Sequence, residues 1–337
     1  MTAYSTPEAG YVTAETGLLD HGGPDRGLDA QQSTDTLGVG PIVLLHGLMG
    51  RGRTWRRQIP WLRRYGRVFT FDAAFHTGAD AALISDPAEV STERFVADLA
   101  EILTWIDLGP AVLVGHSMGA LHAWCAAAEY PELVSALVVE DMAPDFRGRT
   151  TAEWTPWFDS WPDRFSSLGH ARQMFGDVAG RYFYEAFDDG ALHGQLATWA
   201  AIAQEWGQRD FWDQWRSVPV PSLLIEAEHT VTPEGQMRKM ASINDHSAHI
   251  QVNGAGHLIH DDAPEVFRGA VEALTGGAAA IAEILTTGLA GIRELGALGH
   301  LLLTGDRRFR TVIGTLQQRI ALKLLFNERG EVEIGQL

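Results

Sequence analysis

Cysteine is almost missing from this chain. Its 337 residues include one, Cys125, so no intramolecular disulfide can form, and no Cys/His cluster has zinc-ligand spacing. Cys125 falls in an alanine-rich stretch, where a buried, inert thiol is expected. Positive charge is also scarce: 26 Lys and Arg stand against 43 Asp and Glu, a formal charge of −17. Nucleic-acid phosphates need a basic footprint and anionic membrane surfaces need cationic clusters, so neither partner is expected. No apolar run is long enough to span a bilayer, and no basic stretch followed by an apolar core opens the chain. The expected compartment is therefore the cytoplasm. What the chain does have, 45 % hydrophobic and 20 % charged residues, suits one large α/β domain with additions, or two domains.

The stretch from Ala111 to Ala120, AVLVGHSMGA, organises the rest. An apolar run meets Gly115-His116-Ser117-Met118-Gly119 and then an alanine-rich helical pattern, the sequence form of a nucleophile elbow. Gly115 and Gly119 leave room for the turn, which strains Ser117 and lifts its hydroxyl above the sheet edge. The Met118 N–H then points at an oxyanion formed beside that hydroxyl. Upstream, the buried-strand run Pro41 to Leu45 ends in His46-Gly47-Leu48-Met49-Gly50. A His-Gly pair there supplies the other half of an oxyanion hole, from the Leu48 amide. Further strands are predicted at Val68–Asp72, Val134–Val139, 221–226 and His249–Val252, and Tyr11–Leu19 reads as an edge strand. Helical spacing covers Thr92–Leu108 and Ala263–Leu274. His257 occupies a glycine-flanked loop after the last strand, which makes it the candidate base. His116 points elsewhere and His46 belongs to the oxyanion loop.

Between 146 and 216 the pattern changes to short helices holding seven of the 11 tryptophans, Trp154 among them. Most of these aromatics pack the insertion's own core, and a few line a pocket beneath. The expected divisions are a polar segment 1–37, a core of 38–145 with 217–275, the Trp-rich helical insertion 146–216 and an extension 276–337. The extension's apolar spacing suggests helices packed on the domain or a homodimer contact, with a lipid-docking helix as the alternative.

With His46-Gly47, the elbow at Ser117 and Gly-x-Gly-His257 in that order, the chain resembles the α/β-hydrolase-fold superfamily over roughly residues 38 to 275. The resemblance implies a mostly parallel sheet flanked by helices, a cap inserted after the strand ending at Val139, a serine nucleophile, a histidine base and a carboxylate orienter. Thr230 stands where the family usually places that acid. Some members take it from the end of the preceding strand, here Glu140 or Asp141. Asp141, within an Asp-x-Ala-Pro segment, is preferred, because strand alternation turns Glu140 to the other side. Glu228 is the third candidate. The implied activity is hydrolysis of a carboxylic ester with an apolar or aromatic group, by Ser117, His257 and Asp141 with the amides of Leu48 and Met118. No metal or organic cofactor is required, and the partner is a small-molecule substrate. The alternatives are carbon–carbon bond hydrolysis, cofactor-free peroxidation, or a degenerate member that binds without turnover.

Overall fold

The computed structural model describes residues 17–23, 40–78, 87–149 and 156–275. Most of the expected segment 1–37, Trp154 and the whole extension 276–337 lie outside these residues.

Short apolar runs bounded by glycine, proline and polar residues become strands: β1 (Leu19–Asp20), β2 (Ile42–Leu45), β3 (Val68–Thr70), β4 (Ala111–His116), β5 (Val134–Glu140), β6 (Ser222–His229) and β7 (Ser247–Gly256). They form one seven-stranded sheet in the order β1-β3-β2-β4-β5-β6-β7. β1 pairs antiparallel with β3, and every other neighbouring pair is parallel. The helices are α1 (Ile59–Leu62), α2 (Thr92–Ile106), α3 (Met118–Glu129), α4 (Leu168–Phe175), α5 (Asp177–Ala186), α6 (Leu196–Trp206), α7 (Trp212–Arg216), α8 (Gln236–Ile243), α9 (Ile259–Asp262) and α10 (Pro264–Thr275).

Strand alternation divides the core into two layers. Val43, Leu45, Leu113 and Val139 pack with α2, α3 and the inserted helices, while Ile42, Leu44, Val114 and Val138 pack with α1, α9 and α10. Both faces of the sheet are thus covered, as its uninterrupted apolar strands require. On α2 the predicted stripe Phe95, Leu99, Ile102, Leu103 and Ile106 is buried, and the Ser91 hydroxyl caps the helix by accepting from Arg94 N–H. α3 is buried from Met118 through Ala127, which explains its run of alanines and glycine: small side chains let a helix lie close under the sheet.

Helices α4 to α7 are inserted between β5 and β6. The neck of this insertion is closed by Phe211 N–H donating to Pro144 O (2.8 Å), and Gln236 of α8 hydrogen bonds both backbone groups of Asp145. Its aromatics form their own core: Trp161 lies within 4.8 Å of Phe175 and 4.9 Å of Trp157, ring centre to centre.

Two sequence-based boundaries shift, and most of the expected edge strand Tyr11–Leu19 lies outside the described residues. β3 stops at Thr70. β7 runs on through Gly256 instead of ending at Val252; an irregularity in its pairing with β6 absorbs the extra residue. β7 therefore delivers His257 directly to the carboxyl edge of the sheet.

Candidate active site

Parallel strands bring their carboxyl ends to one edge, and register decides which residues meet there. His116 of β4 is level with Glu140 of β5, and Glu140 with Ile225 of β6. The next residue of each strand continues the ladder: Ser117 N–H donates to Glu140 O and Asp141 N–H to Ile225 O, both at 2.9 Å. Ser117, Asp141 and the loop after β7 are consequently neighbours along one edge.

Backbone strain gathers at the same place. Ser117 has φ 53° and ψ −122°, and Asp141 has φ 46°. Both are positions where an L side chain normally avoids this conformation, and such strain persists only when the surroundings enforce it. The enforcement at Ser117 is visible. A Cβ on Gly115 would stand 2.6 Å from the Ala120 backbone, and one on Gly119 would stand 2.5 Å from Leu45 O. Any larger residue at either position would push the turn away from the sheet.

The loop after β2 leans on that turn. A Cβ on Gly47 would lie 2.6 Å from His116 Nδ1 and 3.1 Å from Ser117 Cβ. Gly50 N–H donates to Gly47 O at 2.9 Å, which closes a tight turn and leaves the Leu48 amide at its apex. Met118 opens α3, so its N–H has no partner within the helix. The two amides expected to face an oxyanion belong to segments in contact with each other.

His257 Nδ1 donates to Asp141 Oδ2 at 2.7 Å, and Asp141 Oδ1 accepts from Ala227 N–H at 2.9 Å. The Asp141 side chain is fully buried, while the imidazole retains 27 % exposure. Glu140 is equally buried but turned to the other side, where both carboxylate oxygens accept from His260 Nδ1 at 2.9 Å and one accepts from His260 N–H. Glu228 accepts from Gly254 N–H at 2.6 Å on the exposed side of β6. The Thr230 hydroxyl donates to Thr232 and accepts from its N–H, a local turn within its own loop. Of the three candidate acids, the structure brings Asp141 to His257.

Two residues that sequence reasoning set aside or passed over also belong here. His116 Nε2 donates to His257 O at 3.0 Å and so holds the backbone of the candidate base. Burial, with His257 and His260 nearby, keeps the His116 ring well below the usual histidine pKa and therefore neutral. His260 stacks on Trp55 at 4.5 Å. Burial alone would lower its pKa, but the attraction and hydrogen bond of Glu140 outweigh this and raise it. Neither role leaves a sequence signal, since one partner is a backbone carbonyl and the other lies 120 residues away.

A mostly parallel sheet covered on both faces, with a serine on a strained strand-to-helix turn and a histidine–carboxylate pair at the next strand ends, defines an α/β-hydrolase-fold protein. The chain belongs to the alpha/beta hydrolase family, whose family model matches residues 42–270. It is similar to the 2-(acetamidomethylene)succinate hydrolase of Mesorhizobium japonicum, at 28 % identity over 68 % of this chain and 86 % of that protein. It is equally similar, at 28 % over 68 % of this chain and 92 % of that protein, to a Mycobacterium tuberculosis protein named as non-heme bromoperoxidase BpoC. The crystal structure of an E-2-(acetamidomethylene)succinate hydrolase superposes with a TM-score of 0.60 at 20 % identity, covering 69 % of this chain and 90 % of that one.

Proposed function

We propose that the protein is a serine hydrolase that cleaves a carboxylic ester, or a close acyl relative, through an acyl-enzyme. The observation that carries this reading is the 2.7 Å His257–Asp141 hydrogen bond, formed one strand away from the strained Ser117. His257 takes the Ser117 proton as the hydroxyl attacks the carbonyl carbon, and returns it to the leaving alcohol. Asp141 fixes the tautomer with Nδ1–H directed at the carboxylate, so Nε2 is the free base, and it stabilises the imidazolium that forms. The Leu48 and Met118 amides hold the tetrahedral oxyanion, roughly 3 kcal/mol for each donor in comparable sites. Water activated by the same histidine then releases the acid. The inserted helices act as a cap over this edge, and their aromatics favour a substrate with an apolar group.

A second reading, cofactor-free peroxidation on the same residues, is favoured by the similarity to the protein named as a bromoperoxidase. The deciding experiment is labelling with a small methylphosphonate reagent, followed by turnover of aryl esters, diketones and peroxide with halide. Rapid modification at Ser117, lost in Ser117→Ala, together with ester turnover, is expected. A serine that stays unlabelled in folded protein overturns the nucleophile assignment and leaves a binding role.

A further inference from the structure

The mechanism leaves unused a cavity of about 130 Å³ between α2 and the amino end of α3. Met118, Gly119 and His46 form one side of it, so it borders both segments expected to hold the carbonyl oxygen. Phe95, Leu99 and Ile102 of α2 form the other side. A cavity of about 150 Å³ with apolar walls accepts benzene, so this one admits a group of about that size. Its lining differs from a plain apolar void in one respect. His122, 4 % exposed, faces it with its ring stacked on Phe95 at 4.6 Å and 10° between planes. Because His122 lines the cavity, a ligand atom held there can hydrogen bond its ring. Burial pushes its pKa down to about 3, so at neutral pH one nitrogen donates and the other accepts.

The mouth supplies the charge rule. Asp98 and Glu101 of α2 stand there, and the guanidinium beside them, Arg94, is already bonded to Asp98 at 2.7 Å. Asp72, also at the cavity, is saturated by Arg51 and by Gly52 N–H, each at 2.8 Å. No guanidinium is left over for a carboxylate on the ligand, and the carboxylates at the mouth repel one.

We infer that this cavity is the acyl-arm site: it takes an uncharged aryl or short alkyl group attached to the scissile carbonyl, with a hydroxyl or carbonyl at its tip bonded by His122. The inference rests on the serine-hydrolase reading, and it sets this chain apart from relatives whose names specify succinates.

The test uses 4-nitrophenyl esters of 4-hydroxyphenylacetic, phenylacetic, 4-carboxyphenylacetic and acetic acids with the full-length protein. The expected kcat/KM order falls from the hydroxyphenyl to the phenyl ester, then acetate, with the carboxyphenyl ester last. His122→Phe keeps the stack on Phe95 and removes the nitrogens; it should reduce the hydroxyphenyl-over-phenyl preference at least tenfold. Leu99→Trp fills the cavity and should abolish the advantage of both uncharged aryl esters over acetate. A Leu99→Trp effect that is equal across all four esters overturns the proposal, as does an effect confined to a series varied in the alcohol. Phenol binding, read by ring-nitrogen NMR of histidine-labelled protein, judges the site independently of turnover. A His122 shift that is lost in Leu99→Trp supports the site, and its absence in the parent protein overturns it. If Ser117 resists the methylphosphonate yet phenol still moves His122, the site stands as a binding pocket, whereas the hydrolase reading and the acyl-arm assignment both fall.

Discussion

At the carboxyl edge of the sheet, buried uncharged imidazoles hold loops by hydrogen bonds; across the inserted helices, arginines reach partly exposed carboxylates. His46 donates from Nδ1 to Gly47 O (2.8 Å) and accepts at Nε2 from Ala73 N–H (2.9 Å), tying the β2 loop to the β3 loop. His76 accepts from Met49 N–H and donates to Ala74 O, a second tie between the same loops. By contrast, Arg51 and Arg53 meet Asp188, and Arg56 and Arg57 meet Glu185, at the far end of α5. Hydrogen bonds made in a dry interior are directional and insensitive to salt, whereas exposed ion pairs are screened and individually weak. The edge is fixed; the insertion is latched. A catalytic geometry needs the first arrangement and an entry route for substrate needs the second.

The sharpest way to break the edge is to exchange its two buried acids. Asp141→Asn should lower ester turnover on the order of a thousandfold or more, because the amide presents the wrong tautomer partner to His257, and the melting temperature should barely move. Glu140→Gln should do the reverse. It removes one side of a buried pair and should destabilise by about 3–5 kcal/mol while turnover of the folded fraction stays within an order of magnitude. Thermal melts and kinetics on both variants decide the matter, and the assignment fails if the two phenotypes are swapped.

The contrast between these two acids also marks how far the sequence could be read. The sharp turn at Ser117 and the place of His257 after the last strand were legible from glycine spacing and strand order. The choice of Asp141 over Glu140 followed from the alternation of side chains along β5. The Glu140–His260 pair was not legible, since nothing near His260 indicates a carboxylate on another strand. The contact of His116 with His257 was not legible for a related reason: its partner is the His257 carbonyl, and a backbone acceptor leaves no trace in the sequence. The pairing of Arg51, Arg53, Arg56 and Arg57 with Glu185 and Asp188 was not legible either, since those carboxylates lie more than 120 residues on. Local chemistry reads through; pairing across the fold does not.

The uncharged imidazoles predict a pH dependence of definite sign. Burial holds His46, His76, His116, His122 and His193 below 6.5, the last two at about 3. The unfolded chain takes up protons near 6.5 that the folded one refuses. Their contribution is therefore complete above that pH and is lost as pH falls from 6.5 toward the folded values. Each group costs up to about 1.4 kcal/mol per pH unit over that window. His260 has the opposite sign, its contribution being present below 6.5 and lost as pH rises through its raised value. Melting temperature should accordingly fall steeply from pH 6.5 to pH 5, and the fall should be shallower in His76→Gln, whose amide can both donate and accept. A flat profile over this range would contradict the reading of the edge as a set of neutral rings.

The smallest effect belongs to the latch. Glu185 is 15 % exposed at its side chain and receives Arg57 at 2.7 Å together with Arg56, while Asp188, at 52 %, receives Arg51 and Arg53 near 3 Å. Exposed pairs of this kind contribute about 0–1 kcal/mol each, and salt screens them over a Debye length of about 8 Å at physiological ionic strength. Glu185→Gln should therefore change the melting temperature little. It removes the shared acceptor of two arginines, so the insertion should open more often. An effect of about 1 kcal/mol on that opening is about fivefold in apparent affinity, since 1.4 kcal/mol is tenfold. The expected reading is a change in KM of up to about fivefold with kcat unchanged, and a parent enzyme that approaches the variant's KM as salt rises toward 1 M. If Glu185→Gln instead lowers kcat at constant KM, the helices position the reacting groups, and the division between a fixed edge and a latched insertion does not hold.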